Sequence, residues 1–198
     1  MNITLIRHGQ TAGNKAGIYQ GGIDADIIER AIPDEALKRY PPADAVYSSP
    51  MRRCLSTAKM IYPGRDPVIV EGLSECRFGD FEGKTADELM GHPLFRQWLE
   101  TGALEVFPNG ESLVGFAERC WAAFHDIARM AAAGGYRNVS VIAHGGVIGA
   151  ITHRLLHGEN GLFRRVVGNL DGVTFAYDAE NGVASEMRLL SNGELWAP

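Results

Sequence analysis

The 198-residue chain has a formal net charge of −5, a pI near 5.7, and 45% hydrophobic against 22% charged residues. This is the balance of an ordinary water-soluble globular protein long enough to bury well over half of its unfolded surface. Its acidity argues against a nucleic-acid partner, because a phosphate backbone needs a basic face. No apolar run reaches the ~18 residues of a membrane span, and Met1-Asn2-Ile3-Thr4 lacks a basic leader, so no membrane partner and a cytoplasmic location are expected. The three cysteines, Cys54, Cys76 and Cys120, form no CxxC spacing and read as small core residues in a reducing compartment. With no repeat or linker, residues 1–198 are expected to form one domain.

The apolar run Ile3-Thr4-Leu5-Ile6 stops at Arg7-His8-Gly9-Gln10-Thr11, with Asn14 shortly after. A short β-branched run bounded by a turn signal suits a central parallel strand, and ligands gather beyond the carboxyl ends of such strands. Arg7 would bring a rigid fork of donors suited to phosphate oxygens, and His8 a nucleophile, base or ligand near neutral pH. In the glycine-rich loop that follows, Tyr19-Gln20-Gly21-Gly22 could turn backbone N–H groups toward an anion. Residues 33–40 begin with proline and acids and end in bases, the charge order a helix dipole favours, and then stop at Pro41-Pro42.

Ala43 to Ser48 reads as a second strand, and Pro50 opens a helix through Met60 whose first turn points Arg53 back at the strand edge, with Arg52 on the surface. Pro67 to Val70 reads as a third strand, leading to Leu73-Ser74-Glu75. The aromatic and glycine loop Phe78-Gly79 to Phe81-Glu82-Gly83 can desolvate a carboxylate and raise its pKa toward the range of proton transfer. Residues 84–110 carry short amphipathic stretches around Leu89 and Trp98 and form a lid or side segment, on which Lys84 and Arg96 read as surface cations.

Pro108-Asn109-Gly110-Glu111-Ser112 starts a long helix with apolar residues at three-and-four spacing from Leu113 to Ala128, ending at Gly134-Gly135; His125 on it reads as a surface or capping residue. Asn138 to Ala143 is the clearest strand, ending in His144-Gly145-Gly146 before a helix from Val147, whose start exposes the Gly145 amide to an anion. His153 and His157 stand four apart without an acid or cysteine partner, so they read as surface or packing residues. Strands at Val173–Tyr177 and Val183–Met187 flank an Asn181-Gly182 hairpin turn and supply an antiparallel edge. The expected fold is α/β: a three-layer sandwich with a mostly parallel central sheet, one antiparallel edge strand, helices on both faces and a small helical lid.

Arg7-His8-Gly9, Ser49-Pro50-Met51-Arg52-Arg53, Glu75 and His144-Gly145, in that order, resemble the histidine phosphatase superfamily, the phosphoglycerate-mutase-like proteins, from Ile3 to about Ile148. The pattern is most similar to its α-ribazole phosphatase and broad phosphomonoesterase branch. The resemblance implies a phosphohistidine nucleophile at His8, a proton donor at Glu75, and a phosphate cradle of Arg7, Arg53, a protonated His144, Asn14 and the Gly145 amide, with Gln20 and Gly21 as further substrate contacts. It implies no metal and no cofactor, and a small phosphorylated metabolite as the partner. It also gives Glu111 and Ser112 a place near the site, and assigns substrate choice to residues 84–110. The chain departs from the pattern in its short helix before Pro41. It also lacks the paired basic insertion usual in phosphoglycerate mutases. A mutase and a non-catalytic phospholigand-binding protein are the alternatives, and the sequence leaves oligomeric state and the pair Arg164-Arg165 unassigned.

Overall fold

A computed structural model describes residues 1–29, 31–100, 106–157 and 167–191, with the side chain of His157 and the pair Arg164-Arg165 outside that description. In chain order the elements are β1 (Asn2–Arg7), α1 (Ala12–Ala16), α2 (Asp34–Leu37), β2 (Ala45–Ser48), α3 (Arg52–Ile61), β3 (Val68–Ile69), α4 (Ala86–Leu89), α5 (Pro93–Glu100), α6 (Leu113–Ala133), β4 (Asn138–Ala143), α7 (Gly145–His157), β5 (Gly172–Asp178) and β6 (Val183–Leu189). The strands form one sheet in the order β3-β2-β4-β1-β5-β6. β1 to β4 are mutually parallel, β5 opposes β1, and β6 opposes β5. The expected hairpin thus supplies an antiparallel edge pair. Its turn is held by Asp178, whose Oδ1 accepts from the amides of Glu180 (3.0 Å) and Asn181 (3.2 Å), with Gly182 at φ 69°.

Strand alternation sorts side chains into two cores. Ile3, Leu5, Val139, Val141, Val173 and Phe175 join Phe116, Cys120, Phe124 and Ile127 of α6 and Val147, Ile148 and Ile151 of α7 in the larger. Ile6, Val46 and Ile142 point the other way and meet Cys54, Ala58 and Ile61 of α3. α6 begins where Ser112 caps it, accepting from the Gly115 amide at 3.0 Å, and closes at Gly134. α3 starts at Arg52, two residues later than Pro50, and α7 starts at Gly145, two earlier than Val147, so that helix follows the strand-end histidine without a break.

The short second helix has a visible consequence. α2 is four residues long, and the strand starts on its side of the sheet carry hydroxyls and amides: Thr4 pairs in register with Ser140 and Thr174, and Asn2 with Asn138. Together with Pro41 and Pro42 they line a polar cavity of about 280 Å³. Arg39 and Tyr40 beyond α2 both donate to the Leu170 carbonyl, at 2.6 Å each, tying this region to the segment before β5.

Phe124, fully buried, packs on Tyr177 with ring centroids 5.0 Å apart and on Trp121 at 5.5 Å, joining α6 to the sheet. Phe124→Ala is expected to lower the unfolding free energy by about 3–5 kcal/mol, measured by urea denaturation.

Candidate active site

The parallel strands end on one side of the sheet, and the reactive residues follow those ends: Arg7 and His8 at β1, Ser48 and Ser49 at β2, His144 at β4, and Glu75 beyond β3. His8 is 4% exposed, and its Nδ1 lies 2.7 Å from the Gly9 carbonyl. A carbonyl only accepts, so Nδ1 carries the proton and Nε2 keeps its lone pair. That carbonyl is itself placed by its neighbours: the Gly9 amide donates to Thr57 Oγ1 at 2.9 Å, and Asn169 Nδ2 reaches the carbonyls of His8 (3.0 Å) and Gly9 (3.3 Å). Arg7 donates from Nη1 to the Val167 carbonyl at 2.7 Å, while its buried Nε has no hydrogen-bond partner.

Arg53 is 1% exposed. It donates from Nη1 to the Ile23 carbonyl (2.7 Å), from Nη2 to those of Gln20 (3.3 Å) and Gly21 (3.1 Å), and from Nε to Nδ1 of His144 (3.2 Å). His144, fully buried, also meets Ser49 Oγ through Nε2 at 2.8 Å, and its ring stands edge-on to His8 with centroids 5.1 Å apart. Burial, reinforced by the cations Arg53 and Arg7 and by His8, holds His144 well below the ordinary imidazole pKa. Desolvation and neighbouring positive charge thus both work against the protonated His144 that the resemblance implies.

The carboxyl of Glu75 accepts from the amide of Cys76 at 3.0 Å and from that of Gly146, in the first turn of α7, at 3.2 Å. Burial pushes its pKa up, against the lowering pull of those two amides, Arg53 and Arg7. The segment carrying it is fastened by Arg119 of α6, which donates to the carbonyls of Gly72 and Ser74 at 2.8 Å each. A Cβ on Gly146 would lie 2.5 Å from Glu75 Oε1, so a side chain there would displace the carboxyl.

Residues 3–188 match the family described as histidine phosphatase superfamily (branch 1). The chain belongs to the histidine phosphatase superfamily. It is 30% identical over 164 residues to the adenosylcobalamin/alpha-ribazole phosphatase of Salmonella typhimurium, covering 79% of this chain and 80% of that one. It is 32% identical over 164 residues to a metal-independent phosphoserine phosphatase of Arabidopsis thaliana, covering 77% and 68%. Its fold superposes on the crystal structure of the alpha-ribazole phosphatase from Shigella flexneri with a TM-score of 0.78 at 23% identity, covering 100% of both chains.

Of the residues singled out in this histidine phosphatase sequence, His8, Arg7, Arg53, Glu75 and His144 converge. Asn14 joins them: its Oδ1 accepts from the Thr11 amide (3.1 Å) and Asn169 Nδ2 (3.2 Å). The Gly145 amide stands at the start of α7, directly after His144. The Gln20 side chain takes the Thr11 hydroxyl at 2.6 Å, and Gln20 and Gly21 both hold Arg53 by their carbonyls. A Cβ on Gly21 would lie 2.0 Å from the Cys76 carbonyl, so this glycine is a packing requirement. Glu111 pairs with Arg119 at 2.8 Å and Ser112 caps α6. His125 is exposed against Trp121, and Lys84 and Arg96 are bonded to the carbonyls of Asp80 and Gly91. All three cysteines are buried and free. Among the described residues no group of three or more His, Cys, Asp or Glu is arranged to hold a metal ion, and no helix is long and apolar enough to cross a membrane.

Sequence reading missed Thr57, Arg119 and Asn169, whose signal is a hydrogen bond across the fold, and gave Ser49 no role beyond its place in the motif that ends at Arg53. It also placed Arg52 merely on the surface. Arg52 is exposed, yet its amide (2.8 Å) and Nε (3.2 Å) bind the Asp24 carboxylate and its Nη2 the Asp24 carbonyl (2.6 Å), anchoring the loop that grips Arg53.

Burial pushes the His8 pKa down to about 3, from an ordinary value of 6.5. Between these values the unfolded chain binds the extra proton, so this residue's contribution to stability is complete above about pH 6.5 and falls as pH drops toward 3, by up to about 1.4 kcal/mol per pH unit. Urea midpoints followed across that range are expected to fall less steeply with acidification in His8→Asn than in the wild type.

Proposed function

We propose that this chain is a metal-independent phosphomonoesterase that hydrolyses a small phosphorylated metabolite through a phosphohistidine on His8. The observation that carries this reading is the His8 tautomer: a neutral ring with Nδ1–H tied to the Gly9 carbonyl keeps the Nε2 lone pair available for in-line attack on phosphorus. Arg7, with its unpartnered Nε, Arg53, Asn14 and the Gly145 amide supply donors for the charge spread over the equatorial oxygens. As Nε2 bonds to phosphorus the ester P–O bond breaks, and protonated Glu75 gives its proton to the departing alkoxide. Glu75, now a carboxylate, takes a proton from water as the water oxygen attacks the phosphohistidine. Inorganic phosphate leaves, His8 is neutral again and Glu75 is reprotonated. The raised Glu75 pKa suits the first of these duties.

The relatives named for α-ribazole and phosphoserine frame the substrate class, and an α-ribazole 5′-phosphate or a sugar phosphate is the substrate we favour. In this reading residues 84–110 form a lid that selects the leaving group, within a single domain working in the cytoplasm. The absence of paired basic residues in 84–110, where Lys84 and Arg96 stand twelve apart, disfavours a phosphoglycerate mutase.

With excess chelator present, phosphate release from p-nitrophenyl phosphate and a panel of metabolite monoesters is expected to persist in the wild type and vanish in His8→Ala. Phosphate binding without release would overturn the enzymatic reading, and interconversion of phosphoglycerates without net release would establish the mutase. Glu75→Gln is expected to slow alkyl-ester turnover by ~10²–10⁴-fold. With p-nitrophenyl phosphate, whose leaving group needs no proton, the same variant is expected to give one rapid equivalent of nitrophenol and an acid-labile phosphoprotein, seen by rapid-quench kinetics.

A further inference from the structure

Both ring nitrogens of His144 are engaged, and the partners fix which carries the proton. Arg53 Nε can only donate, so His144 Nδ1, 3.2 Å away, must be the acceptor. A neutral ring then has its proton on Nε2, and the atom placed to receive it is Ser49 Oγ at 2.8 Å. Ser49 is itself fully buried on the turn after β2, and its Oγ also lies 3.4 Å from the Met51 amide, the residue that opens α3.

The remaining surroundings offer His144 no anion at contact distance. Cys54 of α3 sits 3.6 Å from Nε2, with its thiol directed to the Ala143 carbonyl at 3.5 Å. Arg53 from α3, Arg7 from β1, His8 just after it and Arg119 from α6 all act on the ring as positive or partly positive neighbours, and Glu75 lies at the Gly146 amide two residues on. A second proton on Nδ1, or its transfer there from Nε2, would face one N–H against the Arg53 Nε–H and drive the guanidinium away.

We propose that Ser49 is a positioning residue: by accepting the Nε2–H of His144 it locks the tautomer whose Nδ1 lone pair aims the Arg53 guanidinium at the phosphoryl group. This rests on the phosphatase reading, in which Arg53 is a phosphoryl ligand. His144 then acts as a neutral strut between the β2 turn and Arg53. The loop carbonyls of Gln20, Gly21 and Ile23 hold the outer end of the same guanidinium, so its plane is set from both ends.

Long-range ¹H–¹⁵N spectra of the histidine side chains in the uniformly labelled full chain, free of phosphate, test this without turnover. His144 is expected as the neutral Nε2–H tautomer throughout about pH 5–8. A protonated ring or the Nδ1–H tautomer would overturn the proposal whatever the activity. In Ser49→Ala, checked for folding by its melting curve, a mixture of tautomers is expected together with a kcat loss of about 10- to 100-fold, the range seen when an imidazole at a metal site loses its outer partner. Ser49→Thr, which keeps the hydroxyl, is expected to restore the tautomer and most of kcat. An unchanged tautomer in Ser49→Ala, with or without an activity loss, would assign Ser49 to packing alone. A wild type that releases no phosphate would instead sink the phosphatase reading, leaving the tautomer result to stand on its own.

Discussion

A guanidinium buried to 1% exposure, with no carboxylate paired to it among the described residues, is the constraint around which the site is arranged. Burying a charge is costly unless its donors are met, and Arg53 meets that demand with neutral acceptors: three carbonyls of one loop and one imidazole nitrogen. Such acceptors satisfy the N–H groups without cancelling the charge. Arg7 lies in the same region with a buried donor left over. The nearby carboxyl, Glu75, is pushed by burial toward its neutral form, which leaves the positive potential standing.

The loop that grips Arg53 has to be rigid for that arrangement to last, and its supports come from several directions. Glu82 takes the Gly22 amide at 2.8 Å and the Phe78 amide at 3.1 Å, joining it to the segment after Glu75. Asp24 is clasped by Arg52, the immediate neighbour of Arg53. Arg119 fixes the far side through the carbonyls preceding Glu75. The parallel sheet delivers His8 and His144 on adjacent strands, and these side-chain braces bring the remaining groups to them.

What the sequence made legible follows from how locally each feature is encoded. The alternation of Ile3 and Leu5 against Thr4 and Ile6, the helical spacing along residues 113–128 and the Asn181-Gly182 turn are short-range patterns, and the strands, the long helix and the hairpin all formed from them. Reactive residues placed at strand ends were legible for the same reason. Protonation states were less so, because the charge of His144 depends on Arg53 ninety-one positions away in sequence. Thr57, Asn169 and Arg119 carry no local signal that separates them from ordinary polar residues, and the motif that contains Ser49 does not reveal its partner His144 ninety-five positions on. Glu111 and Ser112 also have work in the fold that the motif does not spell out, since Ser112 caps α6 and Glu111 pairs with Arg119.

The polar register of Thr4, Ser140 and Thr174 bears on how this face of the sheet avoids association. Beneath a full-length helix, a sheet face is normally covered with leucine or valine, and shortening that helix would leave a sticky strip inviting association. Here the strand starts already present hydroxyls, bonded as Thr4 to Thr174 at 3.2 Å and Ser140 to Tyr62 at 2.7 Å. The abbreviated α2 and the wettable floor beside it are thus a matched pair. Replacing these hydroxyls with apolar side chains would set a sticky strip beside a helix too short to cover it.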